Sequence, residues 1–105
     1  MTRFARRVDA NHGEIRDGLK EDGYLVDDLS GVGQGVPDLA VQSPRGWPPC
    51  LFLEVKDGTK PPSARKLTEA EERFQNLIGK DRCRVANSLL EARELCLAYF
   101  HPERV

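Results

Sequence analysis

Two short apolar runs joined by a brief loop limit the fold of this chain more than any other feature. Asp38-Leu39-Ala40-Val41-Gln42 and Cys50-Leu51-Phe52-Leu53-Glu54-Val55-Lys56 are separated by only seven residues, Ser43-Pro44-Arg45-Gly46-Trp47-Pro48-Pro49. Three prolines, a glycine and a serine make that connection a loop. Parallel strands need a crossover of about a dozen residues or more, so two strands this close along the chain are predicted to pair as an antiparallel hairpin.

The remaining segments surround that hairpin with helices and two further strands. A helix is predicted from about Ala10 to Asp22, with Ile15 and Leu19 on one face and Gly23 as its stop. Gly13 and Gly18 weaken its intrinsic propensity, so packing must hold it. A strand follows over Tyr24–Leu29, then the glycine-rich turn Ser30–Gly35. Asp57–Lys66, with Gly58, Pro61 and Pro62, reads as a mobile loop. Thr68-x-x-Glu71 is a capping box that opens a helix carrying Ala70, Phe74, Leu77 and Ile78 and ending at Gly79. A strand over Arg82–Ala86 leads to a second capping box, Ser88-x-x-Glu91, and a helix to about Phe100. The order is αβββαβα. A hairpin plus a strand–helix–strand crossover implies an α/β fold with a mixed central sheet and flanking helices, in two or three layers.

Composition bounds the function classes. A length of 105 residues fits one domain, residues 1–105, and its hydrophobic and charged fractions of 39% and 31% fit a globular one. No apolar run approaches a membrane span, so no membrane partner is expected. Met1–Arg7 has no apolar stretch behind its charges, unlike a secretory signal. Cys50, Cys83 and Cys96 form no C-x-x-C pair and lie among apolar residues, which reads as reduced packing thiols of a cytoplasmic protein. His12 and His101 offer no zinc-ligand spacing, and His12 reads as a solvated first-turn residue. Sixteen basic residues against seventeen acidic ones leave a net charge of −1, which does not by itself favour a nucleic-acid partner.

The second run of the hairpin breaks its apolar pattern with Glu54-Val55-Lys56. Side chains alternate along a strand, so Glu54 and Lys56 share a face. Pro37-Asp38 opens the other arm, and pairing of the arms places Asp38 at the same end of the sheet as Glu54. Two carboxylates and an ammonium converging on one point suit phosphodiester hydrolysis. Mg²⁺ takes oxygen ligands, commonly from one or two carboxylates plus water and substrate phosphate. It activates water and stabilises phosphoryl charge, and a lysine beside it can orient or deprotonate the water. The backbone carbonyl of Val55 is a further candidate ligand.

Pro37-Asp38, fifteen intervening residues and Glu54-Val55-Lys56 resemble the PD-(D/E)XK nuclease superfamily. More narrowly, the chain is similar to the VRR-type (virus-type replication–repair) nuclease domains, many of them phage-encoded. The resemblance runs through "RRVDANHGEI", "GVGQGVPDLAV", "LFLEVKDG" and "ARKLTEAEERF", nearly the whole chain. It implies a restriction-endonuclease-like core and a DNA endonuclease using Mg²⁺, with Mn²⁺ as a substitute. It implies Asp38 and Glu54 as metal ligands, Lys56 as the catalytic lysine, and Glu14 as a first-helix carboxylate supporting the metal. Similar stand-alone domains resemble dimeric Holliday-junction resolvases, so branched DNA is the implied substrate and a bacterial or phage-infected cytoplasm the implied setting. The alternative is a catalytically silent or partner-dependent DNA-binding module on the same fold. The chain departs from the family pattern at His12, and at Glu71 and Glu72, where members often carry glutamine.

Lys60, Arg65 and Lys66 after the third strand, and the N-terminal arm bearing Arg3, Arg6 and Arg7 (residues 1–8), are candidate DNA contacts. Trp47 is expected to cover the core rather than stack on a base. Gly31, Gly33 and Gly35 precede a strand, so they are no phosphate-binding loop and are expected to let backbone approach the site. Nine of the twelve residues Leu89–Phe100 are apolar, wider than one sheet contact needs, which points to a homodimer through the C-terminal helix region. With Glu14, Asp38 and Glu54 assigned to a metal, fourteen acids remain against sixteen bases, a remainder of +2. Segments 1–8 and 56–66 each carry +3. Opposed charge patches of this kind predict weak, salt-sensitive DNA affinity.

Overall fold

The computed structural model describes residues 9–105, so Arg3, Arg6 and Arg7 lie outside the described residues. In chain order the elements are α1 (His12–Glu21), β1 (Leu25–Asp28), β2 (Leu39–Gln42), β3 (Leu51–Val55), α2 (Glu69–Ile78), β4 (Cys83–Ala86) and α3 (Leu89–Phe100). Single 3₁₀ turns occupy Pro62–Arg65, inside the segment read as a mobile loop, and Pro102–Arg104.

The sheet order is β1-β2-β3-β4. The β2–β3 hairpin forms as expected, antiparallel with Leu39 opposite Leu53 and Val41 opposite Leu51. β1 adds antiparallel to β2, and β4 adds parallel to β3 across α2. The sheet is mixed, and the chain is an α/β fold.

Alternation along β3 divides the molecule into layers. Leu51, Leu53 and Val55 join Ile15 and Leu19 of α1, Leu39 and Val41 of β2, and Ala92, Cys96 and Phe100 of α3 in one buried cluster. Phe52 points the other way and meets Phe74 of α2 edge to face, ring centroids 5.5 Å apart. Helices α1 and α3 therefore cover one face, α2 the other. Glycine in α1 has a packing reason: a Cβ on Gly18 would fall 2.6 Å from Leu89 Cδ1, so its absence lets α3 seat against α1. That contact offsets the roughly 1 kcal/mol of helix propensity that glycine forfeits relative to alanine.

Three expectations need correction. The apolar width of α3 is taken up mostly inside the chain: Ala92, Cys96 and Phe100 are buried and Leu89, Leu95 and Tyr99 pack partly against the core, leaving Leu90 as its exposed large apolar side chain. Trp47 is 72% exposed and does not cover the core. It sits in the connection between β2 and β3, which the end of α3 meets instead through Tyr99 Oη donating to Pro49 O at 2.7 Å and Arg45 Nη2 donating to Phe100 O at 2.8 Å. Only half of the second capping box forms. Ser88 Oγ accepts from Glu91 N at 3.1 Å, but Glu91 Oε1 accepts from the backbone and side-chain nitrogens of Asn87 instead of Ser88 N. Cys83 and Cys96 are buried and Cys50 half-buried, all three as free thiols.

Candidate active site

Asp38 immediately precedes β2, and extending the hairpin register from the Leu39–Leu53 pair sets it opposite Glu54. Both are 5% exposed. Asp38 is fixed by backbone, its Oδ2 accepting from Val55 N at 2.8 Å. The two carboxyl groups are in hydrogen-bond contact. Burial first, and the Asp38 carboxylate second, push the Glu54 carboxyl far above its ordinary range. Two carboxyls in contact away from water cannot both ionise cheaply, which favours the protonated form of Glu54. Glu54 Oε1 is buried without a hydrogen-bond partner.

Lys56, one turn of the pleat onward, shares the α2 face with Glu54. Its Nζ stands 4.0 Å from Glu54 Oε2 and 3.1 Å from Glu71 Oε1. Glu71 is 8% exposed, and the same Oε1 accepts from Thr68 N at 2.8 Å, closing the α2 capping box. Burial alone would raise the Glu71 carboxyl, but Thr68 N–H and Lys56 outweigh it and hold the group below its ordinary range. Sequence reasoning recognised Glu71 as a cap and missed it as a site residue. The signal was the capping box itself, which turns an N3 glutamate back toward the residues that precede the helix.

The loop before Asp38 approaches α2 closely at one glycine. Gly35 has φ +84°, and a Cβ there would lie 2.5 Å from the Ala70 carbonyl, whereas Gly31 and Gly33 have open space. One of the three glycines thus has the close-approach role expected of all of them, and it seats the buried Pro37 and Asp38 beside the start of α2.

His12 is the clearest correction: it is 4% exposed, not solvated. Its Nε2 donates to Asp28 Oδ2 at 3.0 Å, with Arg16 Nη1 donating to the same oxygen at 3.2 Å. Ser30 donates to Asp28 Oδ1 from N at 3.0 Å and from Oγ at 2.6 Å. Burial would raise Asp28, but the bonds from Ser30 and His12 prevail and keep its carboxyl well below the usual carboxylate range. The spacing held the clue, because His12, Ile15 and Leu19 lie on one helical stripe.

Asn11 also escaped the sequence reading. From the N-cap of α1, its Nδ2 donates to Lys56 O at 3.1 Å and to Asn87 O at 2.9 Å, tying together the chain ends that leave β3 and β4. Glu14 is exposed and lines a cavity to which neither Asp38 nor Glu54 contributes. Arg65 is half-buried in that same cavity wall, Lys66 is exposed, and Lys60 Nζ lies 4.0 Å from Asp9 Oδ1. The structure thus brings Asp38, Glu54, Lys56 and Glu71 together, and sets Glu14 in the wall of a cavity that it shares with Asn11 and Asp57. Among the described residues no three His, Cys, Asp or Glu side chains are grouped so as to hold a metal ion.

The fold has a counterpart in a solved structure described as a VRR_NUC domain. The two share 32% sequence identity over 87% of this chain and 99% of that one, with a TM-score of 0.58. The chain belongs to the VRR-NUC domain family. Neither a family model nor a curated protein matches the sequence. Membership accounts for the restriction-endonuclease-like arrangement of this VRR-NUC domain, in which the hairpin arms bring Asp38 and Glu54 together. No described helix of the domain is long and apolar enough to cross a membrane.

Proposed function

We propose that this VRR-NUC domain is a DNA endonuclease dependent on a divalent cation, Mg²⁺ or Mn²⁺, acting by preference on branched DNA in the cytoplasm. The observation that carries the reading is the pairing of Asp38 and Glu54, two buried carboxyls on adjacent antiparallel arms, with Lys56 Nζ 4.0 Å from Glu54. The donors fit a hard cation. Glu54 Oε1 is buried and unpartnered, and Mg²⁺ is commonly held by only one or two carboxylates. Asp38 and Glu54, with the Val55 carbonyl between Glu54 and Lys56, would hold it.

When bound, such a cation supplies Lewis-acid stabilisation of the charge that builds on the attacked phosphate. The chain's own groups have separate tasks. Asp38, anchored by Val55 N, fixes the position of the carboxylate pair. Lys56 holds a proton at Nζ, steered by Glu71, and presents an ammonium that orients water and balances phosphate charge at the sheet end. Lys60 and Lys66, with the Arg3–Arg7 arm, supply phosphate contacts whose effect falls as salt rises.

The test is cleavage of flap, nicked and four-way DNA in Mg²⁺ or Mn²⁺. Asp38→Ala and Lys56→Ala should each lower the rate by about a hundredfold or more; unchanged rates would remove the assignment. Self-association through the α3 region belongs to the same proposal, supported by the 68% exposure of Leu90 on an otherwise occupied helix. Sedimentation equilibrium should then give a dimer mass for the parent chain and a monomer mass for Leu90→Asp.

A further inference from the structure

Two side chains placed to serve the starts of helices turn instead to one junction in the sheet. Asn11 is the N-cap of α1, a position from which asparagine ordinarily accepts a backbone N–H of the first helical turn. Here it makes no such bond. With φ −90° and ψ 4° its backbone lacks the extended geometry of a capping residue, and its Oδ1 is buried without a partner. Glu91 stands where a capping box would return it to Ser88 N, yet its Oε1 accepts from N and Nδ2 of Asn87 at 3.1 and 2.9 Å. Both departures concern the place where β3 and β4 end.

That place carries Lys56. Parallel pairing of the two strands stops at Val55 and Ala86, and Lys56 N still donates to Ala86 O at 3.0 Å. The Lys56 carbonyl lies past the last pair, and Asn11 Nδ2 donates to it at 3.1 Å. The same nitrogen donates to Asn87 O at 2.9 Å, so both amide hydrogens are used and the orientation of the amide is settled. Asn87 is held in turn by Glu91. The main chain of Lys56 is therefore fixed on both sides, by β4 at its N–H and by α1 at its carbonyl. Without Asn11, the next backbone bond to this sheet end would come from Gly58 N, which donates to Asn87 O at 3.0 Å.

The Lys56 side chain starts from that fixed main chain and ends between two carboxyls, Nζ 3.1 Å from Glu71 Oε1 and 4.0 Å from Glu54 Oε2. A tilt of the peptide after Lys56 shifts the ammonium against both. Misplacing a reacting group by about 1 Å can cost about a hundredfold in rate.

We propose that Asn11 is a positioning residue for the hydrolysis, acting through the main chain of Lys56. Its amide, locked on Asn87, sets the point from which the ammonium reaches Glu54 and the attacked phosphate. The role rests on the nuclease reading and deepens it, because it makes the start of α1 part of the support for the catalytic strand.

The experiment uses the full chain and Asn11→Ser. Serine is a good N-cap, so α1 keeps or gains stability, but its short hydroxyl replaces the amide that joins Lys56 O to Asn87 O. On flap DNA in Mg²⁺, kcat should fall about tenfold. KM, and binding of the same DNA in EDTA read by fluorescence anisotropy, should stay within about twofold of the parent. The melting temperature should be no lower. Glu71 holds the other end of Lys56, so the loss in Asn11→Ser/Glu71→Ala should depart from the product of the single losses by about threefold or more. An unchanged kcat, a loss matched by a lower melting temperature or a raised KM, or a purely multiplicative double loss overturns the positioning role. Absence of cleavage by the parent chain overturns the nuclease reading; parent cleavage that Asn11→Ser leaves intact overturns the positioning role alone.

Discussion

Asp28 and Glu54 are carboxylates near the same end of one sheet, on opposite faces, and their surroundings differ in kind. Asp28, on the α1 side, receives four hydrogen bonds from His12, Arg16 and Ser30 and is held below the usual carboxylate range. Glu54, on the α2 side, is buried against Asp38 with one oxygen unpartnered, and is held above that range. The first carboxylate is satisfied by the fold and serves it by pinning α1 to β1. The second is left unsatisfied by the fold, which is how a group reserved for a ligand is expected to look.

The sharpest way to break this comparison is to neutralise each group in turn. Glu54→Gln should lower Mg²⁺-dependent cleavage by about a thousandfold. In metal-free protein it should raise the melting temperature, because it removes a buried carboxyl facing Asp38. Asp28→Asn should do the reverse, costing about 1–2 kcal/mol of stability from lost charge-assisted bonds while cleavage changes only severalfold. Urea titration and initial rates read both; a shared response of the two variants would dissolve the distinction.

Glu71 gives a smaller and more selective effect. Glu71→Ala should lower kcat by about tenfold, since Lys56 Nζ loses its anchor. Glu71→Gln should recover most of it, because a Gln Oε1 still accepts from Thr68 N and from Lys56. If Gln is as slow as Ala, the negative charge of Glu71 matters rather than its hydrogen bonds.

The gentlest test is the pH dependence of metal-free stability. Asp28 has a lowered folded value, so its contribution is present above the ordinary value of 3.8 and is lost as pH falls below it. Glu54 has a raised folded value, so between its ordinary 4.5 and that raised value the folded state holds a proton the unfolded chain has released. Stability from Glu54 therefore falls as pH rises through neutrality. Denaturation midpoints should climb from pH 2 to about 4 and then decline. Asp28→Asn should flatten the first limb, and Glu54→Gln the second.

Much of the site was legible because strand alternation is a rigid rule. A seven-residue connection forces the hairpin, and the hairpin register brings Asp38 to Glu54 and leaves Lys56 on the same face. What escaped involved side chains whose partners are distant in sequence. His12 meets Asp28 sixteen residues away, Lys56 meets Glu71 fifteen away, and Asn11 reaches Asn87 across 76. Glu14, the first-helix carboxylate, lines a cavity together with Asn11.

Local periodicity, turn chemistry and capping by themselves determined the element order, the mixed sheet and the carboxylate pair, because each depends on neighbours within a few residues. Only the tertiary structure decided which polar groups are satisfied. It drew Glu71 to Lys56, buried His12 on Asp28, used the apolar width of α3 within the chain, and left Glu54 Oε1 without a partner. Burial and hydrogen-bond satisfaction are properties of packed neighbours from separate segments, and no spacing along a single segment encodes them.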